Sequence, residues 1–124
     1  MVIIMSFDWK EFHDVGVHLE NYSPKEAYQR SAVGRYYYSC YHCVKDYFEK
    51  NHFHLGHQDS PHQALINCLK TFGSEDEADL ADYLSKLRSY RNKADYYQGF
   101  RNTTFKKAKK TTDDIKLMLK NLEN

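Results

Sequence analysis

The sequence predicts an all-α fold, a five-helix, mainly antiparallel up-and-down bundle forming a single domain over residues 1–124. Three observations lead there. Apolar residues recur at helical spacing along most of the chain, capping and stop residues divide it into five such stretches, and no run shows the period-two alternation of a half-buried strand. A length of 124 residues suits one core, and a hydrophobic content of 41% with 15% aromatic is that of a packed domain.

The first helix is expected to follow Ser6 as N-cap and to run to Asn21, with Trp9, Phe12, Val15 and Leu19 on its apolar face and Trp9 as its largest core residue. Ser23-Pro24-Lys25-Glu26 has the form of a capping box with proline at the first helical position, and opens a second helix reaching about Asn51. Its apolar positions, among them Ala27, Val33, Tyr36, Tyr37, Cys40, Val44 and Phe48, cover more than one face, which places this helix in the middle of the bundle. Residues 52–61 read as a loop, and Pro61 starts a third helix carrying Leu65, Cys68, Leu69 and Phe72 that stops at Gly73. Ser74 with the acids Glu75, Asp76 and Glu77 caps a fourth helix ending at Gly99. Thr103 or Thr104 caps the fifth, with Phe105, Ala108, Ile115, Leu117 and Leu119 on its apolar side.

Met1 to Met5 is apolar but too short for a signal-peptide core or a membrane span, so a cytosolic protein without a membrane partner is expected. Three cysteines, an odd number, point to reduced thiols rather than a disulfide framework. The net charge of +1 hides an uneven distribution. Residues 86–120 hold 11 basic and 3 acidic residues, a balance of +8, while the remaining 7 basic and 14 acidic residues give −7. The basic third, including Lys106, Lys107, Lys109 and Lys110, suits a polyanion or an acidic partner, or else coats a solvated helix face.

Two kinds of chemistry are weighed and set aside. His52, His54, His57 and His62 cluster in and beside one loop, and Cys40, His42 and Cys43 sit within a turn of each other. The CxxC lies in mid-helix with no second ligand pair, so the thiols read as small buried hydrophobes, the histidines read as a solvated surface, and neither a metal nor another cofactor is expected. Cys40 and His42 are two apart on a helix and point away from each other, which excludes a nucleophile–base pair within that helix.

The polar break in the fourth helix is more informative. Leu80, Leu84 and Leu87 form an apolar stripe whose continuation lands on Arg91, Ala94 and Asp95, with Arg88 one turn after Leu84. Such a break marks a functional site or a buried polar network. The functional reading makes Arg88 and Arg91 phosphate ligands, with Asn92 as a hydrogen-bonding group and Asp95 or Tyr96 beside the scissile bond. One structural reading is an intrahelical salt bridge between Arg91 and Asp95, four residues apart, and a stronger one buries Arg35 against Asp95, with Tyr37 and His42 completing a polar network.

The run Arg30-Ser31-Ala32-Val33-Gly34-Arg35-Tyr36-Tyr37-Tyr38-Ser39-Cys40-Tyr41-His42, followed by Leu87-Arg88-Ser89-Tyr90-Arg91-Asn92-Lys93-Ala94-Asp95-Tyr96, resembles the HEPN superfamily, the higher eukaryote and prokaryote nucleotide-binding domains, over almost the whole chain. The likeness is greatest to small stand-alone prokaryotic members. It implies a helical bundle that dimerises through the motif helices, and a metal-independent ribonuclease or an RNA- or nucleotide-binding module of a toxin–antitoxin or phage-defence system. A minimal nucleotidyltransferase antitoxin is the implied partner. The family's catalytic signature is an arginine, often followed by asparagine, then a histidine four to six residues further on. Arg91-Asn92 matches its first half, but the histidine positions fall on Tyr96 and Asp95. A phenol titrating at about 10 and a carboxyl at about 4 are poorly matched to proton abstraction near neutrality.

Overall fold

Residues 7–124 are described by the computed structural model, and all their regular secondary structure is helical. The five helices are α1 (Lys10–Tyr22), α2 (Glu26–Asn51), α3 (Pro61–Phe72), α4 (Glu75–Tyr96) and α5 (Asn102–Glu123). They form a helical bundle around one core, and α2 packs against each of the other four. No helix among the described residues is long and apolar enough to cross a membrane. Ser6, the expected cap of α1, lies outside the described residues.

The central position of α2 follows from its composition. Ala32, Val33, Tyr36, Tyr37, Cys40, Tyr41, Val44, Tyr47 and Phe48 are all buried, and they point in several directions around the helix. Ala27, counted in that apolar set, is exposed. The helix starts later than its capping motif suggests. Lys25 is the N-cap, the Ser23 hydroxyl accepts only from the Lys25 N–H at 3.2 Å, and Glu26 pairs with Arg30 at 3.1 Å instead of reaching back. At α4 a full capping box does form, because Ser74 Oγ accepts from the Glu77 N–H and Glu77 Oε1 accepts from the Ser74 N–H. Glu77 is buried and also meets His52 at 2.7 Å, which fastens the start of α4 to the end of α2.

The other end of α4 differs from expectation. It stops at Tyr96, three residues before Gly99, because its terminal carbonyls are taken up by a side chain from α2. Arg30 Nη1 donates to the Ala94 carbonyl at 2.8 Å and to the Tyr97 carbonyl at 2.7 Å, and Nη2 donates to the Gln98 carbonyl at 2.9 Å. Its guanidinium also lies 5.0 Å from the centre of the buried Phe100 ring. The helix end is therefore stopped from outside, without a left-handed glycine. Helix α5 begins at Asn102 with Arg101 as N-cap, so Thr103 and Thr104 fall inside its first turn rather than capping it.

Four core assignments on α1, α3 and α5 are corrected. Trp9 is half-buried at the head of α1, stacked face to face on His42 with ring centroids 3.5 Å apart, and Val15 is exposed. Phe72 and Leu117 are exposed as well, since α3 and α5 each have only one face toward the core. The buried residue of α1 is Gly16, which lies flat against the Tyr36 ring. A Cβ there would come within 2.6 Å of a carbon of that buried ring, whereas a Cβ on Gly34 would meet nothing within 4 Å. Alanine for glycine inside a helix ordinarily stabilises by about 1 kcal/mol. Gly34→Ala is expected to follow that rule, while Gly16→Ala destabilises by roughly 1–3 kcal/mol through overpacking; urea denaturation of the two variants reads the opposite signs.

Candidate functional site

The residues singled out on α4 divide between two faces of the helix. Arg91 turns inward toward α2 and is 17% exposed. Its Nη2 donates to the Tyr38 hydroxyl at 3.0 Å, and its Nη1 makes a long 3.5 Å hydrogen bond to Asn92 Oδ1. Its Nε lies 2.8 Å from Asp95 Oδ2 with the N–H directed off that line, so the contact is an ion pair rather than a directed hydrogen bond. The Arg91 guanidinium carbon sits 5.2 Å from the Tyr38 ring centre and 5.9 Å from those of Tyr37 and Tyr96. The two terminal nitrogens of Arg91 thus each donate one hydrogen bond within the fold, while the buried Nε–H has no acceptor. Tyr96, one of the expected reaction-site residues, is 72% exposed.

Arg88 has the opposite environment. It is half-buried, and its single hydrogen bond is from Nη1 to Gln63 Oε1 at 3.3 Å, on the first turn of α3. It lines an open depression on the outer face of α4 with Ser85, Ser89, Asn92, Lys93 and Tyr97. Two cations and no carboxylate line this depression, an arrangement that favours an anion. The backbone of Tyr97 is held from behind by Arg30, which fixes the rim.

The expected Arg35–Asp95 pair does not form. Arg35 is exposed, with its guanidinium 5.3 Å from the Phe12 ring of α1, and Asp95 pairs one turn back along its own helix with Arg91. A cation–π contact at the surface satisfies Arg35 without the desolvation that a core position would require. His42 also leaves the proposed network, since its ring is stacked on Trp9. Tyr37 stays, fully buried, but its hydroxyl meets His62 Nδ1 at 2.5 Å.

His62 is the residue that sequence reasoning placed elsewhere, among the solvated loop histidines. Pro61 sets it in the first turn of α3, where its ring stacks on Tyr41 at 4.0 Å and lies edge-on to Tyr38 at 6.1 Å. The other histidines of that group are dispersed, His52 to Glu77 and His54 to Glu49 at 3.6 Å. Among the described residues no three His, Cys, Asp or Glu side chains gather in a way that would hold a metal. Cys40 is buried and burial pushes its thiol pKa up, which suits a core residue and not a reactive thiolate. Of the basic cluster on α5, Lys109 pairs with Glu20 at 2.7 Å and Lys110 with Asp114 at 3.0 Å, while Lys106 and Lys107 are exposed.

No protein-family model, curated protein or solved structure matches this chain.

Burial, together with the charges of Arg88 and Arg91, holds the His62 pKa down at about 4, against an ordinary 6.5. The unfolded chain therefore binds a proton at this residue near pH 6.5 and the folded protein only near pH 4. Between those values protonation favours unfolding, and stability is lost as the pH falls from 6.5 toward 4. His13 and His42 are also held below the ordinary value, chiefly by burial, and act in the same direction. Thermal melts across this range are expected to show the decline, with a shallower slope in His62→Gln, which retains a hydrogen-bond acceptor for Tyr37.

Proposed function

We propose that this chain is a HEPN-like helical domain of toxin–antitoxin or phage-defence type that binds RNA through the Arg88 face of α4. The observation that carries the reading is the contrast between the two arginines. Arg91 is turned inward, with hydrogen bonds to Tyr38 and Asn92 and an ion pair to Asp95, whereas Arg88 lies on a carboxylate-free depression beside Lys93 with one neutral partner. A guanidinium whose fork is largely uncommitted is suited to bidentate contact with a phosphate. The basic balance of residues 86–120 extends the same attraction along α4 and α5.

Binding is better supported than cleavage. Attack by a ribose 2′-hydroxyl needs a group to accept its proton. Tyr96 is a solvent-exposed phenol, the Asp95 carboxylate is drawn to Arg91, and His62 has its Nδ1 occupied by Tyr37. A second reading, favoured by the enclosure of Arg91, makes the polar cluster a buttress between α2 and α4. The neighbouring Tyr96 and Tyr97, 72% and 60% exposed, then form a contact for a partner protein, either a second copy of the chain or a nucleotidyltransferase.

Arg88→Ala separates these readings. It is expected to lower affinity for a short RNA by roughly tenfold or more, the worth of a charge-assisted hydrogen bond. It should also reduce the slope of log K against log[salt] by about one and leave the melting temperature nearly unchanged. Arg91→Ala is expected to destabilise the fold by roughly 1–2 kcal/mol, a discounted value for a partly exposed pair. Fluorescence anisotropy and calorimetry on both variants read the two effects. RNA affinity indifferent to Arg88 and to salt would favour the partner-binding module.

A further inference from the structure

Tyr97 is the aromatic member of the Arg88 depression, which it lines together with Ser85, Ser89, Asn92 and Lys93. Both of its main-chain polar groups are tied down, since its N–H donates to the Lys93 carbonyl at 3.2 Å and its carbonyl accepts from Arg30 Nη1 at 2.7 Å. The residue is nonetheless 60% exposed. The Tyr96 ring beside it faces the Arg91 guanidinium at 5.9 Å, whereas among the described residues no aromatic or cationic partner engages the Tyr97 ring. Its attachment point is therefore fixed while its ring stays uncommitted, free to change rotamer in picoseconds to nanoseconds. A bare anion needs only Arg88 and Lys93. An aromatic face beside those cations adds affinity for an anion that also carries a planar group. The depression holds about 270 Å³, close to the lower end of the roughly 300–1,000 Å³ of small-ligand sites, which suits one nucleotide rather than a length of helix.

We propose that Tyr97 is a base-stacking residue whose ring takes the face of an unpaired base in the nucleotide whose phosphate Arg88 and Lys93 neutralise, so that the depression accepts single-stranded RNA and rejects duplex. This rests on the reading of Arg88 as a phosphate-binding residue and names the form of nucleic acid that the site takes. In a duplex every base is stacked between its neighbours, which closes its face to a side chain while its phosphates stay open to an arginine. Charge alone would therefore not separate the two forms. Stacking also tolerates any base, because every base has a π-face, so the site discriminates pairing state and not sequence. No bond is made or broken and no proton moves. A free nucleotide carries the same phosphate and unpaired base.

The experiment is fluorescence anisotropy of the intact chain with a short labelled single-stranded RNA, with an abasic strand of the same backbone and with the corresponding duplex, and competition by adenosine 5′-monophosphate. Tyr97→Leu is expected to weaken the single strand by roughly fivefold to a hundredfold, the worth of one stacked base. Because it removes neither a charge nor a buried contact, it should leave the melting temperature and the slope of log K against log[salt] unchanged, unlike Arg88→Ala. Tyr97→Phe, which keeps the ring, is expected to bind like wild type. The abasic strand is expected to bind weakly and to be indifferent to Tyr97→Leu, and the duplex to bind less tightly than the single strand. A mononucleotide that competes as tightly as RNA and is weakened by Tyr97→Leu supports the stacking assignment with a free nucleotide as its source, and RNA that far outcompetes it supports the assignment with the strand as its source. The proposal is overturned by a Tyr97→Leu protein that binds the single strand like wild type, by equal weakening of the abasic and base-bearing strands, or by a duplex bound as tightly as the single strand. If Arg88→Ala still weakens RNA in that case, the stacking assignment falls and the Arg88 reading stands. If the wild-type protein binds none of these ligands, both fall.

Discussion

A helix enclosed by four others must find a partner for every polar atom it takes inside, and α2 meets that constraint with tyrosine. Tyr36 donates to Glu20 of α1, Tyr37 meets His62 of α3, and Tyr38 accepts from Arg91 of α4. Three consecutive side chains thus reach three different helices, because successive residues are about 100° apart around the axis. Each ring supplies apolar area to the core and each hydroxyl specifies one contact beyond it. An unpartnered buried hydroxyl costs more than its hydrogen bond returns, so these contacts select the arrangement of the surrounding helices as well as stabilising it.

The same constraint makes two arginines of one helix unequal. Arg88 and Arg91 are three residues apart, yet the Tyr38 hydroxyl and the Tyr37 and Tyr38 rings draw Arg91 inward while Arg88 remains at the rim with Gln63. The stripe of Leu80, Leu84 and Leu87 ends where this transition begins, and all three leucines are fully buried. The inward charge is tolerated because two aromatic faces, a hydroxyl and a carboxylate replace its water. The outward one keeps its solvent-facing donors, and it is this arginine to which the proposed phosphate binding is assigned.

Much of the fold was legible because its signals are local. Pro61, Gly73 and the Ser74–Glu77 box bound their helices where the sequence says they should, and the all-round apolar pattern of α2 identifies the central helix. Errors came where a distant side chain took over a local role. Gly99 looked like the stop of α4, but Arg30, more than sixty residues away, donates to the carbonyls ahead of it. The Ser23 box failed because Glu26 had a nearer cation in Arg30. At the candidate site, the break from leucine to arginine was visible on α4, but the arrival of His62 was not. Nothing in a histidine after a proline states that it faces a tyrosine 25 residues earlier in the chain. Arg35 misled for the complementary reason: an arginine among tyrosines reads as buried, yet its position on α2 faces out over Phe12.

The Arg30 clamp also governs how the molecule can open. Its donors span the last turn of α4 and the connection to α5, and its stem belongs to the central helix, so the loop cannot lift away while α2 keeps its place. Residues 97–101 are mostly at the surface, where short-lived local opening would ordinarily release them first. Tied to α2 through the Tyr97 and Gln98 carbonyls, they are instead held to the central helix. A surface loop would then be among the later segments to yield, and the rim of the anion-attracting depression inherits the rigidity of the core.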